Sequence, residues 1–249
     1  MKLDCVLVAC NENPHYLDFW PIVKEAWPRV VGVPVKMVYV SNELPETLAS
    51  DPDVLFFKAI ESWPTATQAQ CIRLLYPALL SCGPVMLSDM DMIPMQKNFF
   101  VQGFSKFSED QFVSLRGIDE NYKNIYMCYA GATPNVWSEV FGIRTEDDIR
   151  DLLTKWSKEY PSNGRHGSDG WATDQERLYA SAKAYGQKVP LGLLPCVPIP
   201  RVDRIDNEIY RFSNISSRVQ RGHYVDFHMP PYAKHKQLIH TIYDACPKA

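Results

Sequence analysis

Over roughly its first ninety residues the chain repeats one pattern: a short apolar run stops in a polar turn and is followed by a stretch with helical spacing. Leu3 to Ala9 is apolar and ends in Asn11-Glu12-Asn13-Pro14, and an amphipathic segment from Tyr16 to Trp27 closes near Pro28. Val33 to Val40 and Val54 to Lys58 are β-rich runs, Thr65 to Leu80 has helical spacing, and Pro84 to Leu87 reads as a short buried strand that stops at Ser88-Asp89. Strands that alternate with helices are joined by crossovers, which make the sheet parallel and cover both its faces. The expected fold is α/β, with a mainly parallel central sheet flanked by helices.

Beyond residue 91 the pattern loosens into short apolar runs at Phe112 to Leu115 and Tyr126 to Ala130. Two longer helical patterns follow. One is Glu146 to Tyr160, with Thr145 as N-cap; the other is Asp174 to Tyr185, where Thr173 as N-cap and Glu176 complete a capping box. Between them, 161–170 is the most turn-rich stretch of the chain and reads as a mobile loop. The alternation Tyr224-Val225-Asp226-Phe227-His228 reads as a late edge strand.

With 249 residues, 46% of them apolar and 22% charged, the chain is expected to form a single domain with a well-filled core. Its net charge of -3 provides no basic field of the kind a nucleic-acid or membrane-surface binder carries. No run approaches the roughly 18 apolar residues of a membrane span, and the opening residues read as a first strand rather than a leader. The seven cysteines are scattered and form no C-x-x-C pair, so they read as reduced, buried thiols and not as a disulfide framework or a zinc site. The compartment these features imply is the cytoplasm.

The most informative segment is Val85-Met86-Leu87-Ser88-Asp89-Met90-Asp91. Ligands of open α/β sheets collect at the carboxyl ends of strands, and here two acids one residue apart stand where a buried strand runs out. Such a pair suits a hard divalent cation that also binds the phosphates of a substrate. A surface turn produces the same spacing. A haloacid-dehalogenase-type phosphatase carries its acids on the first strand with Thr or Val two residues after the second, whereas Met92-Ile93 follows here. A nucleotidyltransferase would show an early Gly-rich, basic loop, and 11–15 has neither feature.

Together with the segment before it, which includes Arg73-Leu74-Leu75-Tyr76-Pro77, this stretch resembles the GT-A nucleotide-sugar-dependent glycosyltransferases, most closely glycosyltransferase family 8, the glycogenin and bacterial galactosyltransferase type. Four further segments extend the resemblance over 9–234. Ala9-Cys10-Asn11-Glu12-Asn13 resembles the turn that holds base and ribose, with Asn11 in place of the family's Asp. Tyr129-Ala130-Gly131-Ala132 resembles the segment lining the sugar pocket, with Ala130 in place of a polar residue. Asp174-Gln175 matches the Asp-Gln that faces donor sugar and acceptor. His228, Pro231 and Lys234 keep the spacing of His-x-x-Gly-x-x-Lys, with Pro231 in place of Gly.

The resemblance implies a GT-A domain whose 1–95 half binds the nucleotide sugar and whose 96–249 half binds the acceptor and closes the metal site. It implies Mn²⁺ or Mg²⁺ held by Asp89, Asp91 and His228, and a donor, expected to be UDP-linked, contacted by Ala9, Asn11, Asn13, Arg73, Asp89, Met90 and Lys234. Asp174 and Gln175 take the catalytic positions, and a carbohydrate or glycoprotein is the acceptor. The family retains anomeric configuration, yet Asp174 is equally placed by sequence to serve an inverting enzyme as base. The departures at Asn11, Ala130 and Pro231 leave open a binding module with a degenerate site. His166, in the turn-rich stretch, and Trp171, close to Asp174, are further candidates for the sugar side.

Overall fold

The structure is a computed structural model and describes residues 1–204 and 212–247. In chain order its first half comprises β1 (Cys5–Asn11), α1 (Pro14–Leu17), α2 (Trp20–Val30), β2 (Val35–Ser41), α3 (Glu46–Ala49), β3 (Val54–Lys58), α4 (Thr65–Leu75), β4 (Val85–Leu87), β5 (Met92–Pro94) and α5 (Lys97–Ser105). Then come β6 (Val113–Ser114), β7 (Ile118–Asp119), β8 (Asn124–Ile125), β9 (Ala130–Ala132), α6 (Pro134–Phe141), α7 (Glu146–Glu159), α8 (Thr173–Tyr185), β10 (Gly192–Leu193), β11 (Arg201–Asp203), α9 (Phe212–Gln220), β12 (Asp226–His228) and α10 (Tyr232–Asp244).

Seven strands form the central sheet in the order β10-β6-β9-β4-β1-β2-β3. Strands β1 to β4 pair in parallel, as crossover connections require, and β9 alone runs against its neighbours. Period-two alternation along β1 divides the interior: Val6, Val8 and Cys10 join the core that holds Trp27, Phe100 and Tyr129, while Leu7 joins the one that holds Leu74, Trp137 and Trp156. The expected α/β class with a mainly parallel, two-faced sheet is what the chain forms. No helix among the described residues is long and apolar enough to cross a membrane.

A second sheet, in the order β11-β12-β5, positions the site. The chain leaves the central sheet at Leu87 and enters the small one at Met92, so Ser88-Asp89-Met90-Asp91 is the crossing between them. The antiparallel register sets His228 opposite Met92, and the N–H of Met229 donates to the carbonyl of Asp91 at 2.8 Å. Backbone pairing therefore places His228 beside the second acid.

Several local expectations need correction. Pro28 does not end α2; it lies within the last turn, and the N–H of Val31 donates to the carbonyls of Trp27 and Pro28. The helical stretch beginning at Thr65 tightens after Leu75 into a 3₁₀ turn over Tyr76–Leu79, where Pro77 cannot donate to an α ladder. Thr145 caps α7 in a capping box with Asp148, but Thr173 does not cap α8. That helix starts after Ala172, and the Thr173 hydroxyl donates back to the carbonyl of Gly170 at 2.8 Å. β12 is the central strand of its sheet, not an edge, and of the apolar run at Tyr126 to Ala130 only Ala130 enters a strand, β9.

Candidate active site

The carboxyl ends of β1 and β4 open into a cleft of about 600 Å³. Every residue named for the metal, the donor contacts or the catalytic positions lines it except Lys234, which is exposed on the first turn of α10, one turn past the cleft-lining Pro231. The Tyr129-Ala130 pair is wholly buried in the core, and the neighbouring Tyr126, Met127 and Cys128 face the cleft instead.

One wall is built from the first turn and α4. The Asn11 amide donates to the Thr65 hydroxyl at 3.1 Å, which ties the turn after β1 to the start of α4. Asn13 accepts from the N–H of His15 at 3.0 Å and caps α1. Tyr16 and Phe19 complete this wall, and Ala66, Ala69 and Gln70 bring small side chains and one amide from α4. The Gln70 Oε1 is buried and has no hydrogen-bond partner among the described residues.

At the floor, cations meet acids. Arg73 is 8% exposed; its guanidinium donates to Asp89, to the Ser88 carbonyl at 3.2 Å and to Asp174 at 3.4 Å. Asp89 also accepts from the Cys128 thiol at 2.9 Å. Burial acts to raise the Asp89 carboxyl, but Arg73 and Cys128 outweigh it and hold it below its usual value. Burial drives the Cys128 thiol well above its own, so it stays a protonated donor. Asp91 pairs with Arg204 at 2.7 Å and faces His228, its Oδ2 lying 3.4 Å from Nε2. The other imidazole nitrogen lies 3.3 Å from Asp203 Oδ1. Burial works against a charge on His228; Asp91 overrides it and raises the imidazole pKa.

Asp174 is 3% exposed at the start of α8, with Oδ1 accepting the N–H of Gln175 at 2.8 Å. Burial is the largest influence and pushes its carboxyl up to about 6, against the pull of Arg73. The native chain thus holds this proton more tightly than the unfolded chain does. The stability it contributes is complete below about pH 4 and lost as pH climbs through about 6. Asp174→Asn removes that titration, so its stability relative to the native protein should improve from pH 4 to pH 7.5, by on the order of 3 kcal/mol. Denaturant melts at the two pH values measure this, and an unchanged difference would show that burial does not raise the Asp174 carboxyl above its unfolded value.

Arg116, Tyr126, Met127 and Cys128 also line the cleft, as do Gly164, His166 and Trp171. The rings of His166 and Trp171 are 5.1 Å apart. Sequence reasoning missed Cys128, Arg204 and Asp203. Cys128 precedes the recognised Tyr129 segment by one residue, but a thiol there carries no signal of its own. Arg204 and Asp203 depend on the pairing of β11 with β12, which local pattern does not mark.

A divalent cation is tested here by donor chemistry. Asp91 and His228 present oxygen and nitrogen side by side, with Asp203 behind the imidazole as the outer carboxylate such ligands commonly have. Asp89 adds a second carboxylate on the same cleft, although its oxygens engage Arg73 and Cys128. Among the described residues no three His, Cys, Asp or Glu side chains are gathered as a finished shell. The donor types fit Mn²⁺ or Mg²⁺, and Arg73 and Arg204 are ion-paired to the same acids.

Fold and site together define a sheet-end cleft in which acids, arginines and a histidine meet. No protein-family model matches the chain, and no curated protein matches it. Among solved structures, the glycosyltransferase GlyE of Streptococcus pneumoniae TIGR4 is similar at TM-score 0.50 and 13% identity, over 92% of this chain and 55% of GlyE, so the chain spans about half the length of that protein. The galactosyltransferase LgtC, solved in complex with donor and acceptor sugar analogs, gives TM-score 0.49 and 10% identity over 98% of this chain and 97% of its own. Mouse xyloside xylosyltransferase 1 gives 0.45 and 9% over 91% and 97%. The likeness to GlyE is one of fold, and the chain has the GT-A glycosyltransferase fold.

Proposed function

We propose that the protein is a metal-dependent glycosyltransferase of hexosyltransferase type, moving a sugar from a UDP-linked donor to a hydroxyl of a carbohydrate or glycoprotein acceptor. The observation that carries this reading is the crossing at Ser88 to Asp91, which brings Asp89, Asp91 and His228 to the carboxyl end of β4 beside Arg73. Residues 1–95 bind the nucleotide sugar, with Ala9, Asn11 and Asn13 at the nucleoside and Met90 between the acids. Residues 96–249 supply the acceptor side and the closing histidine.

Asp89, Asp91 and His228 would hold Mn²⁺ or Mg²⁺. The cation, when bound, supplies positive charge to the diphosphate as it leaves. Arg73 and Arg204 add fixed positive charge at the same place, where the departing nucleoside diphosphate becomes more anionic. Lys234, one turn beyond the cleft rim, serves the same phosphates from outside. Asp174 and Gln175 face the donor sugar and hold its hydroxyls. Each acid lining the cleft is engaged by an arginine, and this supports retention of configuration, because an inverting enzyme needs an unencumbered carboxylate to take the acceptor proton.

The test is a panel of UDP-, GDP-, CMP- and dTDP-sugars with Mn²⁺, read as thermal shift and as release of the nucleotide. A UDP-sugar is expected to raise the melting temperature and to be consumed. A panel in which no nucleotide sugar binds would overturn the reading.

A further inference from the structure

Arg116 stands apart from the other two arginines of the cleft. Arg73 and Arg204 are each ion-paired to its acids, whereas Arg116 has no carboxylate partner among the described residues. Its guanidinium lies over the ring of Tyr126, 4.1 Å from the centroid, and its Nε is buried with no hydrogen-bond partner among the described residues. Both side chains line the cleft. The backbone that carries Arg116 is fixed. Gly117, the next residue, has φ +69°, and a Cβ there would come within 2.6 Å of the Leu194 carbonyl and 2.7 Å of the Cys196 nitrogen. The Ser114 hydroxyl donates to the Gly117 carbonyl at 3.0 Å and closes the turn.

A guanidinium has five donors in a planar fork, and a buried donor left unmade costs free energy that an incoming acceptor recovers. A fork set over an aromatic face and free of a protein carboxylate can take a planar anion, which it grips with two parallel hydrogen bonds. Arg73, Arg204 and His228 are already engaged with the acids of the cleft, whereas the Arg116 charge has no such partner among the described residues and is left for an anionic group of the ligand.

We infer that Arg116, backed by Tyr126, selects a sugar bearing a carboxylate, a hexuronosyl group. This rests on the glycosyltransferase reading and narrows its substrate class. The carboxylate belongs either to the donor sugar or to a uronic acid in the acceptor.

The experiment uses the full chain and its Arg116→Gln variant with Mn²⁺ throughout. One arm compares calorimetric affinities for UDP, UDP-glucose, UDP-glucuronate and UDP-galacturonate. The other compares methyl β-glucuronide with methyl β-glucoside as acceptors or inhibitors of UDP-sugar turnover. In the native protein, a uronate is expected to exceed its neutral counterpart by roughly 10- to 100-fold in one arm, and that arm names the source. In Arg116→Gln the preference collapses to near unity, while UDP affinity and melting temperature stay close to native. Equal treatment of uronate and neutral sugar by the native protein, with UDP still bound, overturns the inference alone. A fall in UDP affinity that matches the fall for every UDP-sugar in Arg116→Gln also overturns it and assigns the residue to the diphosphate. Failure of UDP itself to bind the native chain brings down the glycosyltransferase reading, and this inference with it.

Discussion

Arg73→Met is expected to lower stability by about 3 kcal/mol at pH 7.5, because the guanidinium is the shared cation of two acids that cannot both remain ionised without it. Asp174 is almost wholly buried, and its carboxyl already sits near 6 with Arg73 in place. Without that charge it takes up a proton or remains a desolvated anion. Asp89 opens to the cleft and is partly relieved by solvent, so most of the loss comes from Asp174. The loss should shrink at pH 5, where both acids protonate more readily. Adding Asp89→Asn and Asp174→Asn to Arg73→Met should restore most of the stability and none of the activity, since the charges that strain the fold are also those that meet the donor. A loss below about 1 kcal/mol would show that the three side chains do not form a charge-balanced set.

Asp91→Asn is expected to reduce UDP-sugar turnover by about a thousandfold or more while leaving the fold intact. The carboxamide preserves shape, and the Asp91 carbonyl still receives the N–H of Met229, so the crossing between the sheets keeps its course. What is lost is the anionic oxygen that faces His228 and Arg204. Asp89→Asn should match that loss of turnover but also lower stability, because it frees one side of Arg73. Turnover measured alongside circular-dichroism melts separates the two effects. Activity within tenfold of native in either variant would remove these acids from the chemistry.

Much of the frame was legible because it is local. The strands at 54–58 and 85–87 and the helix starts at Thr65 and Glu146 follow from apolar runs, caps and turns a few residues long. The acid pair was legible for the same reason: it sits where a buried strand ends. The failures share a cause in tertiary override. Pro28 removes one N–H from the last turn of α2, yet the helix runs on past it because the N–H of Val31 donates to the carbonyls of Trp27 and Pro28, and Thr173 turns back to the Gly170 carbonyl in the loop before α8 instead of capping the helix. Lys234 keeps its sequence spacing from His228, yet α10 begins after Pro231 and carries it past the rim. Cys128 lies in the turn before β9 and Arg204 just past β11, and these three-residue strands pair with β4 and β12, far away in the chain, which no periodicity predicts.

The central claim is that Asp89, Asp91 and His228 hold a cation through which the chain grips a diphosphate, and calorimetric titration of UDP tests it most directly. In Mn²⁺ the native protein is predicted to bind UDP at least about 100-fold more tightly than in EDTA, a gap that Asp91→Asn should nearly abolish. UDP binding of equal strength with and without the metal in the native protein would contradict the account.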